Sequence, residues 1–394
     1  MQVSSTLIPD GDIICFSLSR WDGKVSSPAK SIARELSKSR RVFFIEHPYS
    51  YKDFIKERKA SRTYQEEGVT VITPPLVYPI NFLPEGRMYN YFSGLNNQIM
   101  ERTLRAVIQK NNITHYIFIN FFDPFFLREI PADIRPDLFV YQCMDDLSQV
   151  AYTSRHGVQL EEKIIRHADV TLCTSIELTR LKSAFSKQVY FHPNAADIAL
   201  FNKAFHRTFR KPPDMDFPGK KIIGFLGSID YRTDFDLLEA VGLYHHDKII
   251  YLIGPVAGKE YEAVSRLPNV VFAGARKLSE LPAYVQYFDC AIIPYKINVL
   301  TKSIYPLKIN EYLAAGKPVI ATSFSEDIQT FRDTAYIAGS TEEFIALIDT
   351  VIADDDLLRQ QVRVASVASN SWVKRVAELW VILDRVLKGK LQNA

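Results

Sequence analysis

Short apolar runs alternate with amphipathic stretches along most of the chain, and that alternation predicts a parallel α/β architecture. In the first half, the runs at 12–17, 42–46, 69–72, 115–120, 138–143 and 169–175 have strand length. They are apolar almost throughout, as strands covered on both faces are. Helical patterns lie between them. One is opened by Ser27-Pro28, an N-cap followed by proline in the first turn, and turns Ile32, Ala33 and Leu36 inward. Others fall at 99–109, 160–168 and 176–185. Residues 50–67 are charged and aromatic and predict a surface helix or excursion. Residues 74–94, rich in Pro, Tyr, Phe and Gly, predict a long irregular loop. A second series follows: strands at 222–228, 249–254, 270–274 and 289–294, with helices at 234–243 and 281–288 between them. Helices at 341–353, 355–368 and 372–387 end the pattern. Two such series predict two doubly wound sheets, each binding ligands at the carboxyl ends of its strands. The basic, proline-containing stretch 203–219 reads as the linker, with a first domain over 1–205 and a second over 206–371.

Chemistry concentrates in Tyr305-Pro306-Leu307-Lys308-Ile309-Asn310-Glu311-Tyr312-Leu313-Ala314-Ala315-Gly316-Lys317-Pro318-Val319-Ile320-Ala321-Thr322. It parses as loop, helix, turn, strand. Pro306 suits the start of a helix, Gly316 the residue just past its end, and Pro318 stops any continuation. Lys308 and Glu311 are three apart, so they share one face of the first turns. A helix N-terminus has unpaired N–H groups and a partial positive charge, which suits a phosphate. A carboxylate beside it can accept two hydrogen bonds from a ribose diol. The bland alternative is an amphipathic helix with a surface Lys/Glu pair.

The string P-x-K-x-x-E-Y-L-A-A-G-K-P-V resembles the donor-binding motif of the retaining family-4 glycosyltransferases of the GT-B fold. It looks most like their bacterial polysaccharide and teichuronic-acid branch. The resemblance is strong over 222–322 and weaker over 12–200, where 192–197 (His-Pro-Asn-Ala-Ala-Asp) is similar to a P-N-G-V-D segment. It implies two Rossmann-like domains facing across a cleft, with 372–394 crossing back to pack on the first. By carry-over Glu311 would hold the ribose and Lys308 would reach the diphosphate. The turn Tyr305–Leu307 would offer backbone, and Gly227 and Ser228 would line the phosphate pocket. Asp145, at the end of the run Val140-Tyr141-Gln142-Cys143-Met144-Asp145-Asp146, would face a sugar hydroxyl or cap the next helix; relatives carry a histidine there. The donor would be a nucleoside-diphosphate sugar, UDP or GDP foremost, with no cofactor or metal. The acceptor would be a glycan or lipid-linked molecule, in cell-surface polysaccharide synthesis.

This sequence departs from the family in two places. Ser303 stands where an E-x7-E pair has its first glutamate, which leaves the transferred sugar open. The basic residues expected after the first strand of the second domain are out of register in Gly227-Ser228-Ile229-Asp230-Tyr231-Arg232, so Arg232 and Arg276 are the candidates to replace them. Other readings stay open: a non-catalytic partner subunit, and a sugar-nucleotide epimerase of the same fold. A metal-dependent transferase would want D-x-D after a strand. The pairs Asp10/Asp12, Asp214/Asp216 and Asp234/Asp236 are not so placed. The loop 19–24, ending in Lys24, is not a G-x-G-x-x-G fingerprint, which disfavours a dinucleotide oxidoreductase.

Composition narrows the class without changing the picture. The 394 residues, 47% hydrophobic and 24% charged, are those of an ordinary globular protein of two or three domains. The four cysteines are far apart, without metal or redox spacing, and read as buried thiols of a reducing compartment. No apolar run approaches the roughly 20 residues of a membrane span, and no secretory signal is recognisable. The net charge of +3 is concentrated in a basic first half. That bias is too small for nucleic acid, but it suits peripheral contact of the N-terminal domain with the inner face of the cell membrane.

Overall fold

The computed structural model describes residues 11–23, 27–57, 61–149, 153–207 and 209–392; Asp10 and Lys24 lie outside them. The chain divides into two compact units, Met1–Pro193 with Arg375–Ala394, and Asn194–Lys374.

In the first unit, strands β1 (Asp12–Ser17), β2 (Val42–Glu46), β3 (Arg62–Glu66), β4 (Val69–Thr73), β5 (Tyr116–Phe121), β6 (Leu138–Cys143), β7 (Val170–Cys173) and β8 (Val189–Phe191) form one sheet. Its order is β3-β4-β2-β1-β5-β6-β7-β8. Neighbours are parallel except β3 and β4. The apolar strands β1, β2, β5, β6 and β7 are buried along their whole length, as the sequence pattern requires. Ser27 caps the first helix as expected, accepting from Lys30 N, with Pro28 in its first turn.

The structure differs from expectation in two stretches. Within 50–67 there is a helix (Tyr51–Glu57) and then the polar strand β3, folded onto β4 by a turn in which Glu67 and Gly68 both have positive φ. An edge strand takes its hydrogen bonds from one neighbour and needs no apolar face, so periodicity does not reveal it. The loop expected over 74–94 ends early, because a helix runs from Arg87 to Lys110. Its first turns bury Tyr89, Ser93 and Asn96 and no aliphatic side chain. Asn96 is buried and brackets the backbone of Tyr78, accepting from its N–H at 2.8 Å and donating to its carbonyl at 2.9 Å.

In the second unit, β9 (Ile222–Leu226), β10 (Ile249–Ile253), β11 (Val270–Gly274), β12 (Cys290–Ile293), β13 (Val319–Thr322) and β14 (Tyr336–Ala338) form a parallel sheet ordered β11-β10-β9-β12-β13-β14. This is the doubly wound nucleotide-binding order, and its topological switch point lies between β9 and β12. The unit begins before the helix Ile198–Phe205 rather than after it. That helix packs on the helix Leu307–Ala314, with Asn202 Nδ2 donating to Ala314 O at 3.1 Å.

The last helix, Trp372–Gln392, returns to the first unit. Lys390 Nζ lies 2.9 Å from Asp169, and Arg40 sits over the Trp380 ring. His192, one residue past β8, donates from Nε2 to Arg375 O at 3.0 Å. Burial pushes the His192 imidazole down to about 4. The folded chain therefore refuses a proton that the unfolded chain accepts below about 6.5. The sign is set by that difference: stability falls as pH drops from about 6.5 to about 4, by roughly 3 kcal/mol in all, and is fully present above 6.5. Urea unfolding of His192→Gln against the parent across this range checks it; parallel pH profiles would refute the assignment.

Candidate functional site

The helix Leu307–Ala314 starts from Pro306 and stops where the sequence says it should. Gly316 has φ +70°, its N–H returns to Leu313 O at 2.9 Å, and the Lys317 N–H returns to Tyr312 O at 3.0 Å. These two bonds make a Schellman cap. Lys308 and Glu311 lie on one face, with Nζ 3.1 Å from Oε2. Glu311 is only 4% exposed. Burial raises its carboxyl above the ordinary glutamate range, and the neighbouring Lys308 pulls it part of the way back.

Tyr312, one residue on, fixes this helix to the sheet. Its buried hydroxyl accepts the N–H of Leu226, the last residue of β9, at 2.6 Å. Gly227 follows at once with φ +146°, and a β-carbon there would sit 3.8 Å from Lys308 Cε. The strand β9, the glycine turn and the lysine are thus brought together at the carboxyl end of the sheet. Tyr312→Phe would leave the Leu226 N–H buried without an acceptor. A loss of about 1–3 kcal/mol is expected in urea unfolding, and no change would mean the tether is idle.

Beyond Gly227 the loop pairs with the one after β10: Ile229 N–H donates to Pro255 O and Ala257 N–H to Ile229 O, both at 2.9 Å. The half-buried Ser228 is held in that pairing. Gly254, at the end of β10, has φ +153°, and its N–H donates to Gly274 O at the end of β11. Three adjacent strands therefore end in glycines with positive φ, a cluster the sequence reading valued only at Gly227.

The remaining site candidates are placed as follows. Arg232 reaches the switch point, where its carbonyl accepts from Lys296 N, but its guanidinium is clamped on Asp230 at 2.7 and 2.9 Å. Arg276 is committed to Asp214 at 2.7 Å and to the Tyr284 hydroxyl at 2.9 Å. Leu307 turns its N–H back to Tyr305 O at 2.9 Å, so that amide is already bonded. Tyr305 is buried against Phe331, and its hydroxyl accepts from Asn310. Ser303 is buried just past the short helix Val299–Lys302. Asp145 belongs to the first unit, past β6, where its carbonyl faces the Cys143 thiol at 3.6 Å. The turn after it is capped by Asp146, which accepts from Ser148 N and Oγ.

Sequence reading passed over the first unit's own switch point, between β1 and β5. There His47 Nδ1, past β2, reaches Asp123 Oδ2, past β5, at 2.5 Å. Glu46 accepts from Trp21 N and from Thr73 Oγ1, both at 2.6 Å. The signal was a polar residue straight after each apolar run.

The family model described as "Glycosyl transferases group 1" matches residues 220–354. That match lies wholly within the second unit. The whole fold is GT-B, shared with solved structures that are only distantly related in sequence. The sucrose-phosphate synthase of Thermosynechococcus elongatus superposes with a TM-score of 0.66 at 14% identity, covering 96% of this chain and all of that one. WaaG, a glycosyltransferase involved in lipopolysaccharide biosynthesis, superposes with a TM-score of 0.61 at 11% identity, covering 94% and 98%. In sequence, the chain is 29% identical over 208 residues to the protein described as teichuronic acid biosynthesis glycosyltransferase TuaH of Bacillus subtilis (strain 168). That match covers 50% of this chain and 51% of TuaH, so the chain spans about half the length of the curated relative it matches. The Lys308/Glu311 helix and the Gly227 turn both fall inside the matched residues 220–354.

Proposed function

We propose that the chain is a glycosyltransferase. It moves a sugar from a nucleoside-diphosphate donor, with UDP or GDP as the nucleotide, to a glycan or lipid-linked acceptor in cell-surface polysaccharide biosynthesis. One observation carries the reading: a helix N-terminus bearing a lysine and a buried carboxylate, tethered by Tyr312 to β9 and set against the Gly227 turn. In this reading Glu311 holds the ribose. Lys308 and the first-turn dipole stabilise the leaving diphosphate, an electrostatic role that calls for no metal. Gly227 and Ser228 admit the phosphates closely, and Tyr305 and Leu307 shape the entrance. Arg232 and Arg276 act on the donor only if it displaces Asp230 and Asp214 from them. Asp145 lies in the first unit, and a role for it toward the sugar comes from the family resemblance alone. Retention of anomeric configuration comes from the family resemblance.

A thermal-shift series with UDP, GDP, ADP and TDP tests the donor. Saturation at about 100 Kd should stabilise the fold by roughly 2.7 kcal/mol. A shift with one base identifies the nucleotide; no shift with any removes the reading. Turnover in EDTA and the anomeric configuration of the product by NMR test metal independence and retention.

A further inference from the structure

The crossover from β5 to β6 departs from the habit of parallel sheets. Such connections are ordinarily helices, but residues 122–137 run as irregular chain with one short 3-10 turn, Ala132–Ile134. Their path is held in place. Phe122 and Leu127 have positive φ, Leu127 N–H donates to Asn97 Oδ1 at 3.0 Å, and the Arg128 guanidinium donates to Phe125 O. Where a crossover helix would pack, a cavity of about 610 Å³ opens between the helices Arg87–Lys110 and Gly157–His167. A second cavity, of about 400 Å³, lies along the last helix, and the two meet at Asp169, which lines both. Pro136, Asp169 and Gln188 of this groove just precede β6, β7 and β8. The groove is therefore at the amino end of the sheet, opposite the end where a doubly wound sheet binds its ligand.

We propose that this groove binds an acidic oligosaccharide, with the sugar carboxylates on its arginines and lysine. Charge is the first reason. Arg128 is half-buried, and burial works against its charge. Exposed Arg135 and Lys163 join it in the first cavity, and exposed Arg385 in the second. Among the described residues, none of the four has a carboxylate within ion-pair distance. Three carboxylates share the groove. Asp169 is neutralised by Lys390 at 2.9 Å and accepts the Phe139 N–H. Glu101 accepts from Asn97 Nδ2 at 2.6 Å, and Glu129 lies 3.8 Å from His167. With Lys390 counted, five cations stand against these three. Arginine's planar fork matches a carboxylate with two parallel hydrogen bonds. The mixture is the second reason. Glu101 and Glu129 can accept from sugar hydroxyls but repel a chain of phosphates, and Pro131 and Pro136 offer apolar surface to a sugar ring. The choice of a glycan among acids of this chemistry rests on the proposed glycosyl transfer; the anion-binding groove does not.

Position gives the groove its use. The six residues of β6 span about 20 Å. Only a glycan of several sugars reaches from the groove to the ligand-binding end of the sheet. The groove thus grips the remote part of a long chain, away from the end where transfer takes place.

Titration calorimetry of the full chain with a galacturonic-acid oligomer, a maltodextrin of matched length and inorganic polyphosphate tests the proposal. The acidic oligomer is expected to bind, less tightly as salt screens the cations. The neutral one should bind at least about tenfold more weakly. The triple variant Arg135→Ala, Lys163→Ala, Arg385→Ala changes only exposed side chains. It should raise the Kd for the acidic oligomer at least about tenfold, with the melting temperature and any nucleotide shift as in the parent. A control triple, Lys110→Ala, Lys220→Ala, Lys374→Ala, removes the same charge from exposed positions elsewhere and should bind as the parent does. Parent protein that does not bind the acidic oligomer overturns the proposal, as does equal binding of the neutral one. A groove variant that binds no worse than the control overturns it too, because the attraction is then diffuse. Polyphosphate that binds more tightly than the acidic oligomer also overturns it, because the groove is then a phosphate site. The nucleotide shift is read on the same samples, so failure of the donor reading is distinguishable from failure of the groove.

Discussion

Replacing Glu311 with alanine abolishes the nucleotide-dependent thermal shift while leaving the protein folded. A carboxylate accepting two hydroxyl hydrogen bonds in a buried setting contributes about 3 kcal/mol, hydrogen bonds to charged groups being stronger than neutral ones. Its loss corresponds to a more than hundredfold rise in Kd by titration calorimetry. The same residue carries an opposite expectation for stability. Burial raises the Glu311 carboxyl, so the folded state holds this proton more tightly than the unfolded state. As pH rises from the ordinary glutamate range through the raised folded value, folding must give up that proton, and stability declines. Glu311→Gln is therefore expected to melt at or above the parent temperature at neutral pH, with the gap closing in acid. Half-exposed Lys308 can take its partner's place with water. A variant that binds nucleotide within a few-fold of the parent would sink the ribose assignment. One that melts far below the parent would show instead that the Lys308–Glu311 pair is structural.

How far the sequence reveals this site depends on which force fixes each part. The helix Leu307–Ala314 was legible because local chemistry makes it: a proline start, a glycine at positive φ, and a proline beyond. The two sheets were legible because a strand buried on both faces must be apolar throughout. The first turns of the helix from Arg87, before the 99–109 pattern, and the strand β3 are not, because one buries asparagine and serine and the other lies at an edge. Nor did the sequence reveal how charges would pair. Along the chain Arg232 and Arg276 read as phosphate candidates or as members of surface salt bridges, with no partner specified. Folding sets Asp230 against the first, two residues away, and Asp214 against the second, across 62 residues. The tether from Tyr312 to Leu226 spans 86 residues, and no local pattern announces it. Along the chain, the stretches at 50–67 and 74–94 read as excursion and loop; only exposure shows that Tyr51, Tyr78 and Tyr91 face solvent.

The largest stability loss is expected from Gly254→Ala. A β-carbon at Gly254 would lie 1.7 Å from the carbonyl oxygen of Gly227, closer than any contact permits, and the obstructing atom is backbone. Relief requires moving one strand-end loop away from the other. That strains the bonds from Gly227 N–H to Ile253 O and from Ile229 N–H to Pro255 O, both 2.9 Å. Alanine also has to adopt φ near +153°, which side chains avoid. Overlap, broken pairing and strain together place the cost above about 4 kcal/mol, enough to unfold many domains of ordinary stability. Gly219→Ala is the control. It too has positive φ, +71°, but nothing within 4 Å of the new carbon, so only the conformational cost of about 1 kcal/mol applies. Urea midpoints of the two variants separate sterics from strain. If Gly254→Ala costs no more than Gly219→Ala, the two loops are not locked together. If it folds but loses nucleotide binding, the Gly227 carbonyl has moved, and with it the turn that faces Lys308.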